Sequence, residues 1–347
     1  MKKIISALFG LVILLGACKK DDIHPCPPAV KEQAWEKYAG NPVFTKSVNS
    51  WDDGIILGHS IIKSGNTFRM WYTGGHSIET FSSIGYATST DGIHWERYGD
   101  KPVFEAKPGS WEQSFVGIPH VLQDGNTLRM WYSGGSNSSP DGGKIGYATS
   151  QDGIHWDRHP SPVFQSKAGG WYADGIFPGA VIKENGTFKM WFSGAIGSIT
   201  QATPTSKTSI GYAISPDGIK WTVYDNPLTT ESPYHFSDPV VKHGAPGAWD
   251  VTSAFSASVI KTQCGYEMWY AGEIYNVSQN LGYATSPDGI KWTKNPQNPV
   301  LTTDPWNILL VFPSVILDKN KYRMWYGGFV FDGESLGGAI GYATMPK

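Results

Sequence analysis

The chain has 347 residues, with 28 Lys and Arg set against 30 Asp and Glu, so it carries no excess of positive charge. A basic stripe of the kind a nucleic-acid-binding surface requires is not evident. Aromatic residues make up 14% and there are 41 glycines, a composition of strands joined by tight turns and not of a disordered chain.

In chain order, Met1-Lys2-Lys3 and the apolar run Ile4–Leu15 read as a signal peptide, too short to span a bilayer comfortably. Leu15-Gly16-Ala17-Cys18 resembles the lipobox of bacterial lipoproteins, which implies cleavage after residue 17 and a lipid on Cys18. Lys19-Lys20-Asp21-Asp22 resembles the short charged export signals of some surface-displayed lipoproteins. Pro25, Pro27 and Pro28 make residues 18–33 a tether outside the core. The expected location is the cell envelope: an outer-membrane-anchored lipoprotein, periplasmic or surface-exposed, that touches the membrane through its lipid alone. Setting Cys18 aside leaves Cys26 and Cys264, and whether they pair is open, because sequence does not supply disulfide geometry.

From residue 34 to 347 the chain repeats itself. All fifteen tryptophans fall into three positions, each used five times. Trp51, Trp111, Trp171, Trp249 and Trp306 open a segment; Trp71, Trp131, Trp191, Trp269 and Trp325 sit in a Met-Trp-aromatic triplet. Trp95, Trp156, Trp221 and Trp292 end a turn motif, and Trp35 supplies the fifth copy at the front of the chain. Repetition of this kind marks copies of one supersecondary unit. The second copy reads as four strands: Phe115–Gln123, Thr127–Tyr132, Lys144–Thr149, and a fourth starting at Ile154-His155-Trp156 after the turn at Asp152-Gly153. A four-stranded antiparallel meander of about sixty residues is a propeller blade with enlarged loops. The fifth copy ends at Gly341-Tyr342-Ala343-Thr344 without a fourth strand, and Trp35–Phe44 matches Trp95–Phe104 in register. The expected fold is therefore all-β: a five-bladed β-propeller of four-stranded antiparallel blades, closed by the N-terminal strand completing the last blade.

Ser89-Thr90-Asp91-Gly92-Ile93-His94-Trp95 and its three relatives resemble the Asp-box turns of sialidases, with one residue fewer between Asp and Trp. Asp91, Asp152, Asp217 and Asp288 are expected to brace these turns and do no chemistry. Arg69, Arg129, Arg323 and Lys189 recur before Met in the second strand and read as scaffold, unlike the converging arginine cluster of sialidases. The irregular loops, those between second and third strands and those between blades, share the face of the opening tryptophans, which makes it the expected working face.

Met-Trp-Tyr-x-Gly, then Ile-Gly-Tyr-Ala-Thr-Ser-x-Asp-Gly-Ile-x-Trp, then Asn-Pro-Val resembles the five-bladed glycoside hydrolase superfamily, with families 43, 32, 68 and 130 among its members. The resemblance implies catalytic carboxylates on the inner strands, commonly as Asp-Pro. Here those places read Gly58-His59-Ser60, Ile118-Pro119-His120, Pro178-Gly179-Ala180, Ser256-Ala257-Ser258 and Phe312-Pro313-Ser314, without an acid. Glycoside hydrolysis usually needs two carboxyl groups, so candidates are sought after the opening Trp. Asp53 is the expected base or nucleophile, Glu112 the acid, and Asp174 an orienting group. Asp52 and Asp250 either bond their own turns or face substrate. His59 and His120 are expected near the axis, as channel filling, as a hydrogen bond to substrate, or as ligands to a structural ion in the central channel. Tyr172 and Tyr275 are placed to stack on a sugar, and Glu273, Asp332 and Glu334 are expected on the funnel side. No spacing argues for a transition-metal site and no cofactor is implied. The expected partner is an oligo- or polysaccharide and the expected state a monomer. The reading is a carbohydrate-active lipoprotein, a glycoside hydrolase acting through funnel carboxylates, with a non-catalytic glycan-binding propeller as the alternative and a protein-binding scaffold as a third.

Overall fold

The structure is a computed structural model that describes residues 32, 34–77, 81–136, 143–197, 203–331 and 336–347. The expected signal peptide, the lipid site Cys18, nearly all of the tether, Cys26, Asp332 and Glu334 lie outside the described residues. Cys264 is disulfide-bonded.

Among the described residues every regular element is a strand. Blade 1 comprises Ile55–Ser64, Thr67–Gly75, Phe81–Ser89 and Glu96–Arg97, from the innermost strand outward. Blade 2 comprises Phe115–Asp124, Thr127–Gly135, Lys144–Ser150 and Asp157–Arg158. In blade 3 the inner strand is broken into Gly175–Phe177 and Val181–Glu184 around Pro178, which has no N–H for the ladder; Thr187–Ile196, Lys207–Ser215 and Thr222–Val223 follow. Blade 4 comprises Ser253–Thr262, Gly265–Ile274, Ser278–Ser286 and Thr293–Lys294. Blade 5 comprises Leu309–Asp318, Lys321–Phe331 and Leu336–Pro346, and Glu36–Lys37 is its outermost strand, paired Glu36 to Thr344 and Lys37 to Ala343. A single parallel bridge, Thr208 to Ser253, joins blades 3 and 4 into one sheet. Neighbouring blades touch in cyclic order, with the inner strand of blade 5 against that of blade 1.

The tryptophan pattern accounts for this packing. The five second-strand tryptophans, Trp71, Trp131, Trp191, Trp269 and Trp325, are fully buried. Four of them donate Nε1–H to the turn glycine of the next blade: Trp71 to Gly153, Trp131 to Gly218 and Trp191 to Gly289, each at 2.8 Å, and Trp325 to Gly92 at 2.7 Å. Each also meets the next blade's turn tryptophan edge-on, as Trp131 meets Trp221 at 6.1 Å and 76°. Trp35 holds that place against Trp269, at 6.0 Å and 83°. The opening tryptophans lie over glycine: a Cβ on Gly74 would come within 2.6 Å of the Trp51 ring, which is why the triplet is followed by x-Gly. In the turns, Asp91 Oδ1 accepts from Ile93 N at 2.8 Å and His94 N at 2.9 Å, and Asp152, Asp217 and Asp288 repeat the arrangement.

Candidate functional site: the funnel face and the axial channel

Directly after the opening tryptophan, the acids are internal struts. Asp52, fully buried, accepts from Tyr72 Oη at 3.0 Å and Arg97 Nε at 2.9 Å. Glu112, only 2% exposed, takes Tyr132 Oη at 2.5 Å and Arg158 at 2.8 Å. Asp250 repeats the motif with Tyr270 at 3.2 Å and Lys294 at 2.6 Å. Burial, and then the adjacent carboxylate, pushes Tyr72 and Tyr132 well above the ordinary phenol range, so each hydroxyl stays a donor. The cation always comes from the outermost strand, two residues beyond the turn tryptophan. In blade 3 both partners change together: Tyr172 replaces the acid and Val223 replaces the cation. Tyr172 is 3% exposed, packed against Trp171, Phe164 and Phe192.

These positions correct the expectations for three residues. Glu112 is buried and already ion-paired with Arg158, so it has no access to a leaving group. Asp250 and Tyr172 are equally enclosed, and neither presents a surface to a sugar.

The remaining funnel residues keep some exposure, and each is tied within its own blade. Asp53, 34% exposed, pairs through Oδ1 with His76 Nδ1 at 2.7 Å, and the His76 ring is largely in solvent. Asp174 is exposed and accepts from Gly197 N at 2.7 Å. Glu273 accepts from Ser253 Oγ at 2.7 Å and Gln279 Nε2 at 3.0 Å, while Tyr275 N donates to Thr252 Oγ1 at 3.0 Å. The structure therefore does not join Asp53, Glu112 and Asp174 into one catalytic group.

Across the axis lies a feature the sequence reading missed. Each inner strand of blades 1, 2, 4 and 5 carries an irregularity with positive φ: Gly58 at 22°, Ile118 at 48°, Ser256 at 55° and Phe312 at 50°. Positive φ is costly for a β-branched residue such as Ile118, so the bend is imposed by the ring. Here Phe177 meets Phe255 at 6.3 Å and 86° and Phe312 at 6.3 Å and 62°. Phe177 is buried, whereas Phe255 and Phe312 are half-buried. Three phenylalanines thus meet beside the inner-strand places where the family resemblance would put carboxylates. They break the repeat, a visible signal, but apolar residues in mid-strand read as core.

A cavity of 190 Å³ is lined by all five inner strands, with His59, Ile62, Leu122 and Phe312 among its lining residues. Its wall carries a ring of cross-blade bonds. Ser60 Oγ accepts from Val121 N at 2.9 Å, Ser258 Oγ from Val315 N at 3.0 Å, and Ser314 Oγ from Ile61 N at 3.2 Å. His120 fills the same register in blade 2, with Nε2 3.0 Å from both N and O of Val181. With its proton on Nδ1, it accepts the Val181 N–H as the serines do. His120 is thus a latch between blades, a narrower role than the substrate or ion contact expected. His59 is one register higher, where the other blades have Pro119, Gly179, Ala257 and Pro313. Both its ring nitrogens are buried, and the nearby Trp325 backbone favours the charged form without offsetting that burial. Burial lowers both histidines to a pKa of about 4, so both are neutral near pH 7. Among the described residues no three His, Cys, Asp or Glu side chains converge to hold a metal ion.

No family model matches the chain. An uncharacterized protein of Mycobacterium tuberculosis is 33% identical over 182 residues, 49% of this chain and 54% of that protein; the chain thus spans about half the length of this relative. A glycosyl hydrolase from Bacteroides ovatus superposes with a TM-score of 0.68 at 18% identity, covering 89% of this chain and 94% of that one. A β-1,2-mannobiose phosphorylase from Listeria innocua, solved with β-1,2-mannobiose, gives a TM-score of 0.62 at 16% identity, covering 90% and 97%. Likeness at this identity speaks for the fold alone, and the fold is one that a solved glycosyl hydrolase and a solved mannobiose phosphorylase share.

Proposed function

We propose that the chain is a carbohydrate-binding propeller whose funnel face recognises an oligo- or polysaccharide, held at the cell envelope by a lipid on Cys18 and working as a monomer. The observation that carries this reading is the set of inner strands, which offers the half-buried rings of Phe255 and Phe312 and, among the described residues, no carboxylate at the places where the family resemblance would put one. Aromatic faces suit the C–H faces of a pyranose, and the rim groups Asp53, Asp174 and Glu273 suit its hydroxyls. Hydrolysis by two opposed carboxyl groups loses support with Glu112 enclosed.

A second reading rests on the Asp53–His76 pair. A carboxylate that orients an imidazole leaves the Nε2 facing solvent, an arrangement that suits a general base. The two readings separate in one experiment. Soluble protein beginning after Cys18 is titrated calorimetrically with a panel of oligosaccharides, β-mannosides first because the Listeria neighbour is a β-1,2-mannobiose phosphorylase. Each mixture, with and without phosphate, is then followed by mass spectrometry. Saturable binding without new products, weakened by Phe255→Leu and Phe312→Leu, is expected. Turnover abolished by Asp53→Asn or His76→Ala in folded protein would replace the binding role with an enzyme.

A further inference from the structure

We propose that the face opposite the funnel docks on anionic phospholipid headgroups, and that a disulfide between Cys264 and Cys26 holds the N-terminal tether against it. How the chain reaches a membrane rests on the anchored reading above; the contact itself does not. Docking of this kind adds a second contact beside the lipid and points the funnel away from the membrane.

Strand alternation puts the first-to-second and third-to-fourth turns of every blade on one face and the funnel loops on the other. Trp35 packs edge-on against Trp269 of blade 4, and Glu36 pairs with Thr344 near the end of the last strand. Lys347 N donates to Asn320 O at 3.1 Å, in the first turn of blade 5. The tether therefore leaves from the turn face, at the seam of blades 4 and 5. On that same face Cys264 is exposed, in the turn between Thr262 and Gly265 of blade 4. It is disulfide-bonded, and the chain holds two other cysteines, Cys18 and Cys26. A lipid carried on the Cys18 sulfur leaves Cys26 as the partner. Forming the bond removes two protons and two electrons from the paired thiols, passed by exchange to a protein disulfide of the oxidising envelope. Eight residues then separate the lipid from the staple, at most about 27 Å of extended chain, where sixteen separate it from Ala34.

Charge selects what this face meets. The turns of blades 1 and 2, residues 65–66, 90–95, 125–126 and 151–156, contain no Lys or Arg. In and beside the turns of blades 4 and 5, Lys261, Lys291, Lys319 and Lys321 are exposed, against one exposed carboxylate side chain, Asp288. Asp318 lies between Lys63 and Arg323, and Glu267 accepts from Tyr283 and Tyr322. Lys261 is paired with Glu184 of blade 3 at 3.0 Å, so Lys319 and Lys321 are the least compensated. The chain as a whole is slightly negative, which makes this excess a property of the face. The lysines gather where the staple brings the lipid, and a polybasic cluster beside a lipid anchor is drawn to an anionic surface.

The test replaces the lipid, so its outcome does not depend on Cys18. Protein starting at Lys19 with an N-terminal histidine tag is held on vesicles bearing a nickel-chelating lipid, in phosphatidylcholine with or without phosphatidylglycerol. Acetylation of lysines by a water-soluble reagent, read by mass spectrometry, reports which face is covered. Lys291, Lys319 and Lys321 should lose reactivity on the phosphatidylglycerol vesicles, while the exposed Lys107 and Lys167 of the inter-blade connections keep theirs. Lys319→Gln and Lys321→Gln should each weaken docking about fivefold. Non-reducing peptide mapping should return a Cys26–Cys264 link, and Cys26→Ser with Cys264→Ser should make the three lysines more reactive again. Lipidation is read separately, from the mass of the N-terminal peptide of envelope-isolated protein. Equal reactivity on both faces, the same protection on phosphatidylcholine alone, or Cys264 linked elsewhere would each overturn the proposal.

Discussion

His120 stands where three other blades place serine, and its Nε2 makes the same cross-blade contact from a ring that burial keeps neutral. This gives stability a defined pH window. An unfolded histidine titrates near 6.5, whereas His120 and His59 do so at about 4 in the fold. Between these values the unfolded chain holds protons the native state refuses, so stability is full above pH 6.5 and falls as pH drops toward 4. A gap of about 2.5 units at 1.36 kcal/mol per unit bounds each loss at about 3 kcal/mol. The turn carboxylates act in a lower window: Asp152, held below the ordinary range chiefly by His155 and backbone N–H groups, loses its contribution only as pH falls further. His120→Ser should therefore fold, keep the latch through a hydroxyl, and roughly halve the fall in urea-derived stability between pH 7 and 5, the share of His59 remaining. An unchanged pH dependence would mean that His120 is not held neutral. Sequence reading singled out both histidines by their break from the repeat, but not their division of labour. One register separates a latch from a buried ring, and only the strand pairing fixes that register.

At the level of the element, the recurring unit is the strut: an acid after the opening tryptophan, a second-strand tyrosine, and a cation on the outermost strand. Glu112→Gln removes one charge of a pair whose other end, Arg158, is 22% exposed. The cost should be roughly 1–3 kcal/mol, below that of a fully buried pair because solvent screens the guanidinium. Glycan affinity should stay unchanged, and chemical denaturation beside calorimetry checks both. Blade 3 offers the reverse test. Tyr172→Asp and Val223→Arg should each destabilise alone, since either puts an unpaired charge into an apolar seam. Together they should recover roughly 0.5–3 kcal/mol of coupling; strictly additive losses would show that this strut does not transfer between blades. The acid in three blades was legible in the sequence, but its role was not, because Asp52 and Arg97 are 45 residues apart and meet only when the meander folds. A signal was present in blade 3, where Tyr172 and Val223 replace the acid and the cation together. The funnel acids were misjudged for a related reason, since spacing places a residue on a face without showing whether its side chain points outward or down the seam.

For the whole molecule, closure depends on a short segment from the far end of the chain. Besides the two ladder pairs of Glu36–Lys37, Val43 N donates to Ile340 O at 2.8 Å, and Asn41 exchanges bonds with the Tyr342 backbone at 3.0 and 2.8 Å. Lys37 reaches Asp304 at 2.5 Å, standing in for the strut whose acid position is Asn307 in blade 5. Trp35 supplies the ring that every other blade takes from its own turn. This much was legible from sequence, because Trp35–Phe44 repeats Trp95–Phe104 and the fifth copy lacks that piece. If closure depends on these contacts and not on chain order, the segment should work from either end. In a circular permutant that starts at Lys46 and joins Lys347 to Ala34 through a Ser-x-Asp-Gly turn, blade 5 becomes continuous like its neighbours. The permutant should unfold cooperatively, at a midpoint close to that of unpermuted residues 34–347. Deletion of 34–45 should instead expose the Leu336–Pro346 edge and the Trp269 face, giving an aggregation-prone, non-cooperative transition. A truncated protein as stable as the permutant would mean that the ring holds through its inner strands alone, with the cross-blade serine and histidine latches carrying the closure assigned here to the N-terminal strand.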